Sequence, residues 1–296
     1  MLHKTHVRRV NNLVFAPLRR LYNQSWDSYT VHSPCKRVAH VQLNRPNKSN
    51  AMDQKFWKET AELFEFLQKE KSIRSVVLSG AGKHFSAGLD FQDFTSVFSD
   101  IHSNDPARFA FSLRKLIKTL QESFNWLEKC NKPVIAAIHG ACIGGAVDMI
   151  CAADIRYCSE DAWFQIKELE LGIAADVGTL QRLPRLVGSE SLARELIFTA
   201  RRFDSSEALK CGFVSRVLKT ASETVDEALR TAEQIASHTP VAVQTAKYGI
   251  LFARDHGVYQ GLDQMADWNQ VMLQTADMLH AFKASVTKQK AEYEDA

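Results

Sequence analysis

The sequence predicts an α/β fold that is followed by a helical C-terminal region. Short apolar runs typical of buried strands alternate with longer segments in which apolar residues recur at helical spacing. Beyond residue 220 only helical patterns remain, over 222–238 and 240–284 with a break near Gly257. A chain of 296 residues with 45% hydrophobic and 24% charged residues can form one large domain or two modest ones. We therefore expect a core over residues 34–220 and a helical region over residues 221–296.

The first 33 residues differ in composition from the rest of the chain. Their Lys and Arg residues all precede the first acid, Asp27, and are interspersed with apolar residues. A basic, acid-free amphipathic start is typical of a mitochondrial transit peptide, and a disordered basic tail is the alternative interpretation. The chain ends KAEYEDA, which is not the S-K-L peroxisomal signal. We therefore predict a transit peptide over residues 1–33 and a mitochondrial matrix location.

Apolar patterns predict the elements that precede residue 130. The first helix is amphipathic, and either Ser49 or Asp53 would cap it. The predicted elements are a strand over 38–44, a helix through residue 67, a strand over 75–79, a flexible substrate-facing loop over 92–108 and an amphipathic helix over 107–129.

The stretch from residue 133 to 183 combines a buried strand, a glycine pair and several carboxylates. The continuous apolar run over 134–138 is typical of a strand that is buried on both faces. Gly144 and Gly145 then lead into an apolar helix that we expect to run to about Ala153, and glycine permits a close approach at this join. The unpaired N–H groups and the positive dipole end of such a helix suit a developing negative oxygen.

Three acids in this stretch are candidate catalytic residues: Asp148, Glu168 and Asp176. A carboxylate on an apolar helix, such as Asp148, must be paired, buried at a cost or functional. Each acid also has a purely structural explanation. Asp148 would lie on a helix surface, Glu168 would join a solvated charge cluster with Lys167 and Glu170, and Asp176 would be the N-cap of the helix that follows. The residues alone leave both interpretations open.

Five segments resemble the crotonase, or enoyl-CoA hydratase/isomerase, superfamily and cover most of the chain from about residue 38. They are HVQLNRPNKSNAM (40–52), VVLSGAGKHFSAGLD (76–90), KPVIAAIHGACIGGAVD (132–148), DIRYCSEDAWFQIKELELGIAADVGTLQRLP (154–184) and TPVAVQTAKYGILFARDH (239–256). The narrower resemblance is to the Δ3,5-Δ2,4-dienoyl-CoA isomerases. It rests mainly on Asp148 and Asp176, because similar hydratases carry Glu and Gly at these two places. The resemblance implies a crotonase-like spiral of ββα units whose C-terminal helical region assembles homotrimers or hexamers.

The resemblance also implies an oxyanion hole for an acyl-CoA thioester. Its donors would be the backbone N–H groups of Ala87 and Gly145. The neighbouring substrate-binding positions would be Gly88, Leu89, Asp90 and Phe91. Arg45 and Lys48 would bind the CoA phosphates, or would instead be solvated surface residues.

By the same resemblance, Glu168 would handle the C2 proton of a 3,5-dienoyl-CoA and Asp176 the proton at C6, which gives the 2,4-dienoyl-CoA. Asp148 would hold the neighbouring polar network. This reaction needs neither a metal nor a redox cofactor, and we expect none. The rival enzyme is an enoyl-CoA hydratase, in which carboxylates at positions 148 and 168 hold a water molecule. The shorter side chain of Asp148 argues against efficient hydration.

Other classes of function have less support. A net charge of +3 is too small to indicate a nucleic-acid partner by itself. One relative of the hydratases binds RNA through a lysine-rich helix, but residues 54–71 contain four lysines and four glutamates and so lack a basic stripe. We expect no membrane span, because no run of 18 or more apolar residues occurs. The six cysteines lack zinc-site spacing, so reduced thiols are expected.

Overall fold

The structure, a computed structural model, describes residues 25–296 apart from the side chain of Phe98. Within these residues nine strands form two sheets. The strands are β1 (Tyr29–His32), β2 (Val38–Leu43), β3 (Ser75–Gly80), β4 (Val134–Ile138), β5 (Ala141–Ile143), β6 (Ile155–Ser159), β7 (Trp163–Gln165), β8 (Phe203–Asp204) and β9 (Arg216–Leu218). The large sheet has the order β1-β2-β3-β4-β6-β9 and is parallel except between β1 and β2. The small sheet has the order β5-β7-β8.

Eleven α-helices accompany the sheets in the described part of the chain. They are α1 (Gln54–Lys69), α2 (Phe91–Asp100), α3 (Pro106–Lys129), α4 (Gly145–Cys151), α5 (Thr179–Leu186), α6 (Glu190–Thr199), α7 (Ser205–Lys210), α8 (Ala221–Ala236), α9 (Pro240–Asp255), α10 (Val258–Met272) and α11 (Ala276–Thr287). Asp53, one of the two predicted caps, begins α1, because its carboxylate accepts a hydrogen bond from the N–H of Phe56 (2.8 Å).

Successive segments repeat a strand in the large sheet, a strand in the small sheet and then a helix. β4, β5 and α4 form one such unit, and β6, β7 and the segment that leads to α5 form the next. β3 begins a third unit, in which Ser86 makes a single bridge to Cys142 before the chain reaches α2. The predicted spiral of ββα units is therefore confirmed.

The alternating side chains of β3 show how the large sheet builds two cores. Val76 and Leu78 face the larger core, whereas Val77 faces α8 on the other side of the sheet. The residues that α8 buries fully there are all alanines, Ala228 and Ala232 among them, which allow the helix to approach the strands closely. α8 therefore packs on the sheet although it follows residue 220, and the predicted domain boundary at that residue stays a prediction.

Strand β1 corrects the predicted extent of the transit peptide. Tyr29 is only 2% exposed, and the N–H groups of Asp27 and Ser28 donate to the carboxylate of Glu59 (3.0 and 2.7 Å). Cleavage after residue 33 would remove this edge strand from the sheet, so the folded part begins before it. Residues 1–24 lie outside the described residues, and the targeting role itself stays a prediction.

The segment that was predicted as a flexible loop over 92–108 is mostly helical, so that prediction is wrong. It contains most of α2 and the first turn of α3. Phe91, Phe94 and Val97 recur at helical spacing, a signal that the sequence already carried. The carboxylate of Asp93 accepts a hydrogen bond from the N–H of Gln54 (2.6 Å), which ties α2 to the start of α1.

Buried cationic side chains bond to backbone carbonyl groups at the C-terminal ends of α3 and α4. Arg156 donates to the carbonyl oxygens of Ile150 and Ala153 where α4 ends (3.4 and 2.7 Å). Lys247 on α9 donates to the carbonyl oxygen of Leu127 near the end of α3 (3.0 Å) and to the carboxylate of Asp154 (2.8 Å). Cations at helix C-termini satisfy carbonyl groups that the helix leaves unpaired.

The last three helices, α9 to α11, expose large apolar side chains. They include Ile250, Val258, Tyr259, Leu262, Val271, Leu273, Leu279, Phe282 and Val286. An exposed apolar surface of this kind typically marks a protein–protein interface. None of the helices in residues 25–296 combines the length and apolar character that crossing a membrane requires.

Candidate active site

Two loops meet where α4 begins, and together they leave two backbone N–H groups without an acceptor. The first loop follows β3, and the second is the turn that contains Gly144. A Cβ atom on Gly88 would lie 2.5 Å from the carbonyl oxygen of Ile143 and 3.5 Å from the nitrogen of Gly145, so only glycine fits between the loops. No acceptor in the described part of the chain receives the N–H of Leu89 or of Gly145.

The oxyanion donor predicted at Ala87 is wrong. The N–H of Ala87 donates to the carbonyl oxygen of Ser49 (2.9 Å), and the N–H of Gly88 donates to Oγ of Ser86 (3.1 Å). Leu89 is the first residue after them whose N–H is free. The resemblance therefore indicated the right segment but the wrong residue, and the role of Gly145 stays a prediction.

Asn50 holds the first loop in place, a role that the sequence motifs did not predict. Its side-chain amide donates to the carbonyl oxygens of Ala81, His84 and Phe85 (2.8, 3.0 and 3.0 Å), and it is 2% exposed. The backbone carbonyl oxygen of Asn50 accepts a hydrogen bond from Oγ of Ser86 (2.8 Å). The signal was an asparagine in turn chemistry, because asparagine tolerates the left-handed backbone (φ 53°) that this position adopts.

Asp148 and Glu168 form a buried pair of carboxyl groups beside the free N–H groups. Asp148 is fully buried on α4, and its Oδ1 accepts a hydrogen bond from the N–H of Thr179 (2.5 Å). Glu168 is 9% exposed, and its Oε1 lies 3.1 Å from where a Cβ atom on Gly144 would be. The second oxygen of each carboxyl group is buried and receives no hydrogen bond from any described residue. A buried pair of this kind favours a state in which one carboxyl group keeps a proton.

The structural explanations that the sequence left open do not hold for these two acids. Asp148 is not on a helix surface, since it is 0% exposed. Lys167 and Glu170 do form a surface ion pair (2.6 Å), but Glu168 lies apart from them in the interior.

Asp176 lies close to this pair and does not cap a helix. The N-cap of α5 is Gly178, and the first N–H of that helix, on Thr179, bonds to Asp148 instead. The cap interpretation of Asp176 is therefore wrong. Asp176 is exposed on the single chain, and its backbone carbonyl oxygen accepts a hydrogen bond from Nε2 of Gln121 (2.7 Å).

Loss of solvent is the largest cause that raises the pKa of each of the three carboxyl groups. For Glu168, the charge of Asp148 raises the pKa further, and so does that of Asp176. For Asp148, the hydrogen bond from Thr179 opposes the rise in pKa, while the charge of Asp176 adds to it. With pKa values of about 6 and about 7, Asp148 and Glu168 can take up and release protons near neutral pH, which general acid–base catalysis requires.

The raised pKa of Glu168 leads to a prediction about stability. The unfolded chain loses the Glu168 proton near its ordinary pKa of 4.5, whereas the folded protein retains the proton to higher pH. Stability therefore falls as pH rises through this window. Glu168→Gln removes the titration, so the melting temperature of this variant should rise relative to the wild type between about pH 5 and about pH 8. Thermal scans of both proteins measure the difference, and a difference that does not change with pH would contradict the pKa assignment.

An apolar groove of about 680 Å³ leads away from the free N–H groups. It runs between α1, α2 and α3 and is lined by Trp57, Leu89, Phe94, Val97, Leu116 and Leu120 among others. Leu89 thus contributes its N–H to the donor site and its side chain to the groove. Trp57 lies at the same junction, 3.6 Å from where a Cβ atom on Gly145 would be. The groove has the apolar character that an acyl chain requires.

The remaining residues that were predicted to bind substrate lie in different environments. Arg45 is ion-paired with Asp53 and Asp90 (3.2 and 3.3 Å). Its charge therefore holds the first loop against the start of α1. Asp90 is the N-cap residue of α2, and Phe91, the first residue of that helix, is 48% exposed. Lys48 is exposed, and the phosphate-binding role of both residues stays a prediction.

The lysines of the first helix do not form a basic stripe. Lys55 pairs with Asp27, Lys58 with Glu62 (3.7 Å) and Lys69 with Glu65 (2.5 Å). Across residues 25–296, no three His, Cys, Asp or Glu side chains are grouped so that they could hold a metal ion. The expectation that catalysis needs no cofactor stays a prediction.

The fold and the site define a class of protein, and a comparison with protein families agrees with it. The chain belongs to the enoyl-CoA hydratase/isomerase family, whose model matches residues 35–296. Among curated relatives it is 50% identical to the mitochondrial Delta(3,5)-Delta(2,4)-dienoyl-CoA isomerase of Homo sapiens over 263 residues, which are 89% of this chain and 80% of that protein. It is 46% identical to the peroxisomal Delta(3,5)-Delta(2,4)-dienoyl-CoA isomerase of Arabidopsis thaliana over 257 residues, 86% of this chain and 92% of that protein.

Solved structures share the same fold. The crystal structure of an enoyl-CoA hydratase from Bacillus anthracis superposes with a TM-score of 0.82 at 29% identity, covering 90% of this chain and 99% of that one. The structure of DspI from Pseudomonas aeruginosa gives a TM-score of 0.81 at 28% identity, covering 92% and 98%.

Proposed function

We propose that the protein converts 3,5-dienoyl-CoA thioesters into 2,4-dienoyl-CoA thioesters, as in the oxidation of unsaturated fatty acids. The observation that carries the proposal is one site that joins two free N–H groups, a buried carboxyl pair and a third carboxyl group at Asp176. The names of the relatives that are about 50% identical over most of the chain support the same reaction.

The chemistry begins at the thioester oxygen, which accepts hydrogen bonds from the N–H groups of Leu89 and Gly145. Glu168 removes a proton from C2, and the resulting dienolate places negative charge on that oxygen. Asp176, whose pKa is raised above its ordinary value by loss of solvent, acts in its protonated form and donates a proton to C6. One turnover leaves Glu168 protonated and Asp176 ionised, and exchange with water restores both groups. Asp148 keeps Glu168 basic through its charge and is itself held by Thr179.

The two enzyme functions can be separated by their spectra. The purified protein is incubated with 3,5-octadienoyl-CoA and, separately, with crotonyl-CoA. Isomerisation creates the absorbance of a conjugated dienoyl thioester, whereas hydration removes the enoyl absorbance. We expect the first change, and we expect it to survive dialysis against a metal chelator, since carboxyl groups alone transfer the protons. Rapid hydration of crotonyl-CoA without dienoyl formation would instead establish a hydratase.

We also propose that copies of the chain assemble as trimers or hexamers through α9 to α11. The exposed apolar side chains on these helices support the proposal, because a monomer would leave them in water. Sedimentation of the protein without its first 24 residues should give a multiple of three protomers. A monomer at micromolar concentration would refute the assembly.

A mitochondrial matrix location is proposed from the basic N-terminal residues and from the mitochondrial names of several relatives. One relative, from Arabidopsis thaliana, is named as a peroxisomal protein, so the peroxisome is the alternative location. Residues 1–24 fused to a fluorescent protein should direct it to mitochondria. A fusion that stays in the cytosol would contradict the targeting proposal.

A further inference from the structure

Helix α3 presents three polar side chains to the segment that carries Asp176. Gln121, Asn125 and Glu128 are spaced four and three residues apart, so they lie on one face of the helix. Nε2 of Gln121 donates directly to the carbonyl oxygen of Asp176 (2.7 Å). The other two side chains reach the same segment through Arg182.

Arg182 connects Asn125 and Glu128 to the turn that begins at Asp176. Its Nε and Nη2 donate to the two carboxylate oxygens of Glu128 (2.9 and 3.2 Å), and Nη2 also donates to Oδ1 of Asn125 (2.8 Å). The side chain is 11% exposed, so solvent weakens this paired geometry little. A Cβ atom on Gly178 would lie 1.9 Å from Nη1 of Arg182, so the guanidinium group lies directly against the backbone of the turn.

The carboxylate of Glu128 also contacts a second arginine. Arg254 at the end of α9 pairs with the same carboxylate, and burial of Glu128 is outweighed by the hydrogen bonds from both arginines, which keep its pKa below the ordinary value. Glu128 therefore stays charged and anchors Arg182 at neutral pH.

We propose that Gln121 and Arg182 are positioning residues that fix Asp176 at the distance and angle needed for the proton transfer at C6. This inference rests on the proposed isomerisation. Asp176 is exposed on the single chain and begins a turn, so its own side chain has little packing to orient it. Gln121 holds its carbonyl oxygen, and Arg182 holds the turn two residues later. Neither side chain bonds to Asp148 or Glu168. The charge of Arg182 does lower the pKa of Asp148, so a variant that keeps this charge should leave proton removal at C2 unaffected.

The test compares two reactions of the same protein in deuterium oxide. Exchange of the C2 proton requires Glu168 and the N–H donors, whereas formation of the conjugated diene also requires Asp176. Gln121→Met removes the hydrogen bond to the Asp176 carbonyl, and Arg182→Lys keeps the charge but cannot make the two-oxygen contact with Glu128. We expect each variant to lower kcat for diene formation by about 10- to 10²-fold, the scale of a displaced catalytic group. KM and C2 exchange should stay near their wild-type values.

Matched controls separate positioning from general damage. Gln181→Met changes an exposed glutamine beside Arg182, and Arg194→Lys changes an exposed arginine that pairs with Glu190 on α6 (2.6 Å). Both controls should keep both reactions. Equal loss of exchange and diene formation in Gln121→Met and Arg182→Lys, or no loss of either, would overturn the inference. Those outcomes leave the proposed function standing, provided that the wild type forms the diene. A wild type that forms no diene would overturn the proposed function and the inference together.

Discussion

Replacing Asp176 with Asn should lower diene formation by about 10² to 10⁴-fold, the range expected when a general acid is lost. Asparagine has nearly the same size but cannot donate a proton to C6 as a carboxylic acid does. Exchange of the C2 proton with solvent should continue, because Glu168 and the free N–H groups of Leu89 and Gly145 are unchanged. Diene formation is followed by absorbance, and exchange by mass spectrometry of the recovered thioester.

The structure removes the main alternative explanation for such a result. Gly178 is the N-cap of α5, so Asp176→Asn disturbs no helix cap. Asp204→Asn is a matched control, because Asp204 does cap a helix, α7, by accepting a hydrogen bond from the N–H of Glu207 (2.8 Å). The control should keep full activity. If Asp176→Asn forms the diene at a near-normal rate with an unchanged melting temperature, the two-carboxylate mechanism is wrong.

Replacing Glu168 with Gln should abolish both diene formation and C2 exchange. Glutamine has the same shape but cannot remove the C2 proton, and the loss should again be about 10² to 10⁴-fold or more. Both reactions fall together because proton removal at C2 precedes both of them. The melting temperature of this variant should not fall at neutral pH, since the substitution removes a carboxyl group whose burial costs free energy.

Glu170→Gln is the matched control for this second variant. Glu170 lies two residues further on, is exposed, and bonds to Lys167 and Gln165 (2.6 and 2.9 Å). Its replacement should leave both reactions unchanged. Continued C2 exchange in Glu168→Gln would show that another group, such as Asp148, is the base.

Apolar periodicity predicted the strands β2 to β4 and the long helices α1 and α3, because burial on one or two faces dictates that pattern. The same rule applied to α2, where Phe91, Phe94 and Val97 share a face, but the polar residues between them favoured a loop. Strand β1 lies inside the residues whose composition predicts a transit peptide. Tyr29 and Val31 do alternate with polar residues, but four residues are a weak signal and their burial depends on pairing with β2.

The sequence identified the three acids as candidate catalytic residues, but it could not predict the environment of each side chain. Glu168 and Glu170 are two residues apart and chemically identical, yet one is buried beside Asp148 and the other lies in a surface ion pair. The error at Ala87 has a similar origin. Which N–H in a loop is free depends on where Ser49 and Ser86 place their acceptors, and the contact of Ala87 with Ser49 joins distant parts of the chain. The contacts of Arg182 with Asn125 and Glu128 are likewise tertiary.

The central claim is that a proton leaves C2 and a proton arrives at C6. Its most direct measurement is the position of deuterium in the product after the wild-type protein has converted 3,5-octadienoyl-CoA in deuterium oxide. Nuclear magnetic resonance of the isolated thioester assigns the label to a carbon atom. We predict a conjugated 2,4-dienoyl thioester with deuterium at C6. Deuterium at C4, which marks protonation of the dienolate at the nearer carbon, or a hydroxyl group at C3, which marks hydration, would contradict the account.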